Sequence, residues 1–195
     1  MREYQPLHSF FPALAGPCTL TQPAVQAVTP DSPALEVMTD LARFPAITID
    51  PSAPIATAND YMVTRGVRSL FVLGDDGRVL GLVTTTDILG ERPLQVSRAR
   101  GSRRSELSVA DVMTPIDAVV AMRIEDVRGA KVGHVLATLK QAGRHHELVA
   151  ELGPDGRPRI RGIFSASEIA RRLGIPLAIS ELAQTFAEVE QALGG

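Results

Sequence analysis

Two matched sets of polar residues carry whatever chemistry this chain performs. Thr84 and Asp87 stand three apart in Gly81-Leu82-Val83-Thr84-Thr85-Thr86-Asp87, and Ser165 and Glu168 stand three apart in Gly162-Ile163-Phe164-Ser165-Ala166-Ser167-Glu168. If the apolar pair ends a strand and the hydroxyl opens a helix, the first-turn amides and the positive end of the helix dipole form an anion site. A carboxylate one turn in can accept two charge-assisted hydrogen bonds from a sugar cis-diol, each worth ~1.5–3 kcal/mol. The same spacing is also a capping box, which satisfies orphan amides with no ligand. Both readings stand at this level. The copies are unequal, because the extra methylene of glutamate moves its carboxylate by more than ~1 Å, enough to spoil a two-point grip on a diol. Glutamate is also the better capping partner for Ser165. The expectation is a competent site at Asp87 and a weakened, altered or empty one at Glu168.

Basic residues follow two glycines: Arg68 lies two residues past Gly66, and His145-His146 lie two and three past Gly143. An arginine forks two bonds to a phosphate, whereas histidines are only partly charged near neutral pH. The alternative for all three is a polar strand edge facing solvent. Neighbours on a strand point to opposite faces, which argues against the two histidines sharing a metal. With one cysteine, Cys18, and four histidines, no cluster has zinc spacing. Between the sets, Arg92, Arg98, Arg100, Arg103 and Arg104 occur with almost nothing apolar. That run reads as a solvated linker, with a phosphate or an acidic partner as the alternative. The sequence has no Walker-type loop, no Gly-x-Ser-x-Gly elbow and no His-Glu-x-x-His pair, and Gly74-Asp75-Asp76-Gly77 reads as a turn. Catalysis is not expected.

The elements that must position these residues also come twice. Glu36-Val37-Met38-Thr39 returns as Asp111-Val112-Met113-Thr114, 75 residues on, and Gly66 returns as Gly143, 77 on. Two ordered signals at nearly constant offset predict a duplicated unit whose copies pack on each other. In the first copy, Ser32-Pro33 opens a short helix ending near Met38. A strand over 46–49, a turn at Asp50-Pro51-Ser52, a helix over 55–65, strands over 67–73 and 79–83 about a tight turn, and a helix over 84–89 follow. The second copy predicts a turn opened by Ser108, a strand over 119–124, a helix over 130–141, a hairpin at Pro154-Asp155-Gly156 and a helix over 165–173. Residues 1–30, punctuated by Pro6, Pro12, Pro17, Pro23 and Pro30, read as an extended arm. Residues 177–193 place Ile179, Leu182, Ala183, Phe186, Val189 and Leu193 at helical spacing.

Composition bounds the rest. At 195 residues and 45% apolar content the chain can bury a full core. A formal charge of -2 supplies no global field toward nucleic acid or an anionic membrane. No apolar run reaches bilayer length and the start lacks a signal-peptide layout, so a soluble protein of the reducing cytoplasm is expected.

A repeat opening with Val-Met-Thr and closing with Gly, two apolar residues, Thr or Ser, two spacers and an acid resembles the CBS domain. Two copies over about residues 32–175 resemble the tandem CBS pair, or Bateman module. The resemblance implies an α/β (α+β) fold of two CBS-type repeats packed as a pseudo-twofold pair. The divisions expected are an N-terminal arm (1–30), repeat 1 (31–90), an Arg-rich linker (91–106), repeat 2 (107–175) and a C-terminal amphipathic helix (176–195). It implies a non-catalytic regulatory module binding an adenine nucleotide (AMP, ADP or ATP) in a cleft between repeats. No cofactor is required, and a homodimer and an undefined protein target are expected. By resemblance, Thr84 and Asp87 hold ribose and phosphate, and Ser165 and Glu168 form their altered counterpart. Arg68, His145 and His146 face phosphate, Ala46, Val67 and Met122 flank adenine, and Thr39 and Thr114 stand near the mouth. The rival readings are a ligand-free assembly scaffold and, less favoured by the charge balance, nucleic-acid binding through the arginines.

Overall fold

The computed structural model describes residues 27–175, together with Gln5 and Leu7. Most of the expected N-terminal arm, including Cys18, and all of the expected C-terminal helix lie outside the described residues.

The first unit contains β2 (Thr48–Ile49), α1 (Ile55–Arg65), β3 (Ser69–Leu73), β4 (Val79–Thr84) and α2 (Thr85–Leu89), preceded by a two-residue strand β1 (Thr39–Asp40). Helices α3 (Arg92–Arg100) and α4 (Val109–Val112) lead into β5 (Thr114–Pro115). The second unit runs β6 (Ala121–Arg123), α5 (Ile124–Arg128), α6 (Val132–Ala142), β7 (His146–Leu152), β8 (Pro158–Ser165) and α7 (Ala166–Arg172). The long helices end alike. Gly66 (φ 65°) and Gly143 (φ 62°) take the left-handed conformation that a glycine adopts without Cβ strain.

Two four-stranded sheets result, ordered β2-β3-β4-β5 and β1-β8-β7-β6. Each sheet borrows its edge strand from the other half of the sequence: β1 pairs with β8 (Asp40 opposite Gly162), and β5 pairs with β4 (Pro115 opposite Gly81). This exchange explains the glycine opening each motif. A Cβ on Gly81 would lie 2.4 Å from the Thr114 carbonyl oxygen, and one on Gly162 would lie 2.7 Å from the Met38 sulfur. The borrowed strands bring their flanking residues with them. Ala34, Val37 and Met38 are buried with Val127, Val135, Leu139 and Phe164 of the second unit. Leu107, Val109 and Val112 are buried with Met62, Leu70 and Val83 of the first. The packing units therefore interlock across the divisions that sequence order suggests.

Strand alternation places the third layer. On β3, β4, β7 and β8, Phe71, Leu82, Leu148 and Ile163 point away from the helices and meet one another, so the sheets pack face to face. Leu70, Val83, Val149 and Phe164 point the other way, into the helix-covered cores.

The arginine-rich stretch is solvent-exposed but folded. It folds as α3 with Pro93 buried in its first turn and Gly101 (φ 66°) as its stop. Four of its five arginines have partners distant in sequence or in the following turn: Arg92 and Arg100 pair with Asp87 and Asp111, Arg104 donates to the Ile88 carbonyl, and Arg103 pairs with Glu106. Helix α5 was also not anticipated from the sequence, which continues the β6 pattern into Ile124.

Candidate functional site

A cavity of about 720 Å³ opens where the two sheets diverge. Its floor is Phe71 and Ile163, from the layer between the sheets. One wall is apolar, formed by Phe44, Ala46, Ile47 and Val67 of the first unit. The opposite wall is polar, formed by Ser165, Ser167, Glu168 and Arg171 at the start of α7, with Thr39, Arg68 and His146 between the two. The strand ends are fixed by one matching bond within each unit: the Thr85 amide donates to the Arg68 carbonyl and the Ala166 amide to the His145 carbonyl, both at 2.9 Å. Arg68, which is exposed, and His146, which is half-buried, both line the cavity.

Seven of the twelve residues expected from the sequence thus line one cavity: Thr39, Ala46, Val67, Arg68, His146, Ser165 and Glu168. The cavity lies on the side opposite to expectation. It is built on Glu168, whereas Asp87 lines neither of the two cavities described. The Asp87 carboxylate is occupied from within the chain. Oδ2 accepts from the Thr84 amide (2.8 Å) and hydroxyl (2.7 Å), and the Asp87 amide donates back to Thr84 Oγ1 (3.2 Å), which completes a capping box. Oδ1 accepts from Arg92 Nη1 at 2.8 Å. The same nitrogen donates to the Val112 carbonyl (2.8 Å) and to Thr114 Oγ1 (3.3 Å). Thr84, Asp87 and Thr114 are therefore joined to each other and not to the cavity.

The second copy behaves differently. Ser165 accepts no capping bond from α7, contrary to the capping expectation for Glu168. Its hydroxyl lies 3.0 Å from that of Ser167. Glu168 instead turns to Arg171, which donates from Nε (2.9 Å) and Nη2 (2.6 Å).

Residues 34–93 match the CBS domain family. The second unit repeats the same order of strands and helices, with its edge strand supplied by the first. The first unit is therefore matched as a CBS domain, and the chain has the fold of a CBS-domain pair. A 58-residue stretch is 34% identical to an uncharacterized protein of Methanopyrus kandleri, spanning 30% of this chain and 30% of that relative. Among solved structures, an uncharacterized conserved protein from Pyrococcus horikoshii is 23% identical, covers 78% of this chain and all of its own, and superposes with a TM-score of 0.53. CBSX2, solved in complex with AMP, is 19% identical, covers 72% of this chain and 94% of its own, and has a TM-score of 0.50. At these identities the structural likeness shows the fold.

Electrostatics divide the basic residues of this CBS pair. Arg68 is exposed and forms no ion pair among the described residues. Burial, then the neighbouring charges of His145 and Arg68, push the His146 imidazole down to about 4, so it is neutral at pH 7. His145 is lowered for the same reason, burial first and Arg68 second, and it lies beside the cavity wall without lining it. Of the three basic groups expected at phosphate, only Arg68 brings a charge. Met122 lines a separate cavity of about 360 Å³ between β6, α5 and α6, with Arg123, Asp126, His134 and Thr138.

Sequence reasoning missed Ser167, Arg171, Phe44 and Ile175 in the main cavity. Ser167 and Arg171 carried a legible signal, since they stand four apart on one face of α7, with Glu168 three before Arg171. Phe44 and Ile175 carried none. Nor did Glu147, which is 4% exposed in β7, has an Oε2 without a hydrogen-bond partner, and lies 3.7 Å from Arg144. Burial pushes its carboxyl above the ordinary range, against the pull of Arg144. Among the described residues no helix is long and apolar enough to cross a membrane, and no group of three or more His, Cys, Asp or Glu can hold a metal ion.

Proposed function

We propose that this CBS pair is a regulatory module that binds an adenine nucleotide in the inter-repeat cavity, with no catalytic step of its own. The observation that carries the reading is one cavity spanning both units, apolar on one wall, polar on the other, with an unpaired guanidinium at its mouth. Its volume falls within the ~300–1,000 Å³ of small-molecule sites. A flat base suits the Ala46, Ile47 and Val67 wall. Ribose hydroxyls suit the Ser165 and Ser167 hydroxyls beside Glu168, whose two oxygens already accept from Arg171, and a phosphate suits Arg68, which forks two bonds to it. Arg171 already offsets the Glu168 charge beside that phosphate. The AMP complex of CBSX2 shows that this fold accommodates such a ligand in another protein.

Because the two walls belong to different units, a ligand touching both favours one packing of the sheets over another. The shift cannot exceed the ligand's differential affinity for the two arrangements. That shift is the signal offered to a protein partner or to a second copy of the chain in a homodimer. Four of the five arginines of α3 and its following turn have partners within the chain, which disfavours nucleic acid.

Thermal melting with AMP, ADP, ATP, NAD and S-adenosylmethionine tests the reading, because a ligand that binds only the folded chain raises the midpoint. AMP, ADP or ATP should raise it. No shift with any of the five favours the scaffold reading, for which the ligand-free capping box at Thr84 and Asp87 is the supporting observation.

A further inference from the structure

The two halves of a duplicated pair should present two clefts, yet the described cavity occupies one side. The register of the borrowed strands makes the sides comparable. Thr39 stands opposite Ile163 as Thr114 stands opposite Leu82. Glu168 and Ser165 correspond to Asp87 and Thr84, 81 residues earlier. Thr39 and Glu168 both line the open cavity, and no bond joins them among the described residues. Their counterparts, Thr114 and Asp87, are bridged by a single nitrogen of Arg92, at 3.3 and 2.8 Å. At the same offset of 81 from Arg92 stands Leu173, which is packed against the second core and bridges nothing.

We propose that Arg92 is an internal plug: its guanidinium occupies the counterpart of the nucleotide cavity and makes this CBS pair a one-site module. Arg92 Nη1 donates to the carboxylate that would otherwise grip a sugar diol, to the threonine at that cleft's mouth, and to the Val112 carbonyl. It leaves the Asp87 site filled by the chain's own donor. Pro93 beneath it is buried and anchors the start of α3, so the guanidinium is held from a fixed base. The inference rests on the reading of the open cavity as a nucleotide site, and it assigns the closed one the same chemical class, a nucleoside with a free cis-diol.

Calorimetric titration of AMP into the full chain and into Arg92→Ala and Arg92→Met tests it, with a melting curve for each variant; the methionine keeps the aliphatic stem and its packing. The expected stoichiometry is one for the unsubstituted chain and two for the variants. Methylguanidinium, which can reoccupy the vacated place, should remove the second equivalent and leave the first. One equivalent in both chain and folded variants overturns the plug while the cavity reading survives. None in the unsubstituted chain and one in the variants overturns the cavity reading while the plug survives. Two equivalents in the unsubstituted chain, or none anywhere, overturns the plug.

Discussion

Replacing Arg68 by alanine separates phosphate recognition from binding of the rest of the nucleotide. The side chain is exposed at the cavity mouth, forms no ion pair among the described residues and contributes to no buried cluster. Its removal should leave the melting temperature almost unchanged, since surface substitutions of this kind stay within about ±0.5 kcal/mol. What it removes is one or two charge-assisted hydrogen bonds to phosphate, together about 1.5–3 kcal/mol. The dissociation constant for AMP should therefore rise roughly 10- to 150-fold. His146 cannot compensate, because its imidazole is neutral at pH 7. Adenosine, which has no phosphate, should bind Arg68→Ala and the unsubstituted chain within about threefold. Calorimetry with both ligands makes the comparison. An equal loss for AMP and adenosine would show that Arg68 supports the cavity rather than the phosphate, and no loss for either would remove it from the site.

Other substitutions probe the framework. Gly81→Ala drives a Cβ into a backbone carbonyl at 2.4 Å, whereas Gly162→Ala meets the Met38 side chain at 2.7 Å and a backbone carbonyl only at 3.0 Å. Denaturant midpoints should show Gly81→Ala destabilised by about 1–3 kcal/mol and Gly162→Ala by less; the reverse order would contradict the exchanged-edge account. Glu147 stands 77 residues after Leu70, which is fully buried in the first core. Replacing this half-paired carboxylate in Glu147→Leu should be neutral or stabilising, by up to about 1–4 kcal/mol, and a lowered melting temperature would contradict that. The pH dependence follows from His146. Its folded value, about 4 against 6.5 when free, means that the unfolded chain takes up a proton that the folded chain refuses. Stability is lost as pH falls from 6.5 toward 4, by about 1–3 kcal/mol from this group. The raised Glu147 carboxyl acts oppositely, gaining stability as pH falls. The difference between the unsubstituted chain and His146→Gln isolates the histidine, and parallel pH profiles would contradict it.

The duplication and most of its elements were legible because their signals are local. Helix α1 runs Ile55–Arg65 as its apolar spacing and the stop at Gly66 require, and the hairpins follow from Asp76-Gly77 and Asp155-Gly156. The exchange of β1 and β5 was not legible, since two-residue strands have no period and their partners lie over a hundred or about thirty residues away. The arginine run misled for the same reason. Its charges count as solvated until Asp87, Asp111 and the Ile88 carbonyl are brought beside them by folding. Thr84 and Asp87 carry the closer match to the family motif, and that match says nothing of a neighbouring donor such as Arg92. Aligning the copies at an offset of 81 sets Arg92 against Leu173, and that contrast was the available clue.

Crystals of the full chain soaked with AMP give the most direct test. The base should lie against Ala46 and Val67, the phosphate on Arg68, and the ribose beside Ser165 and Ser167. Density for the nucleotide at Asp87 instead, or a cavity that stays empty at saturating AMP, would contradict that placement.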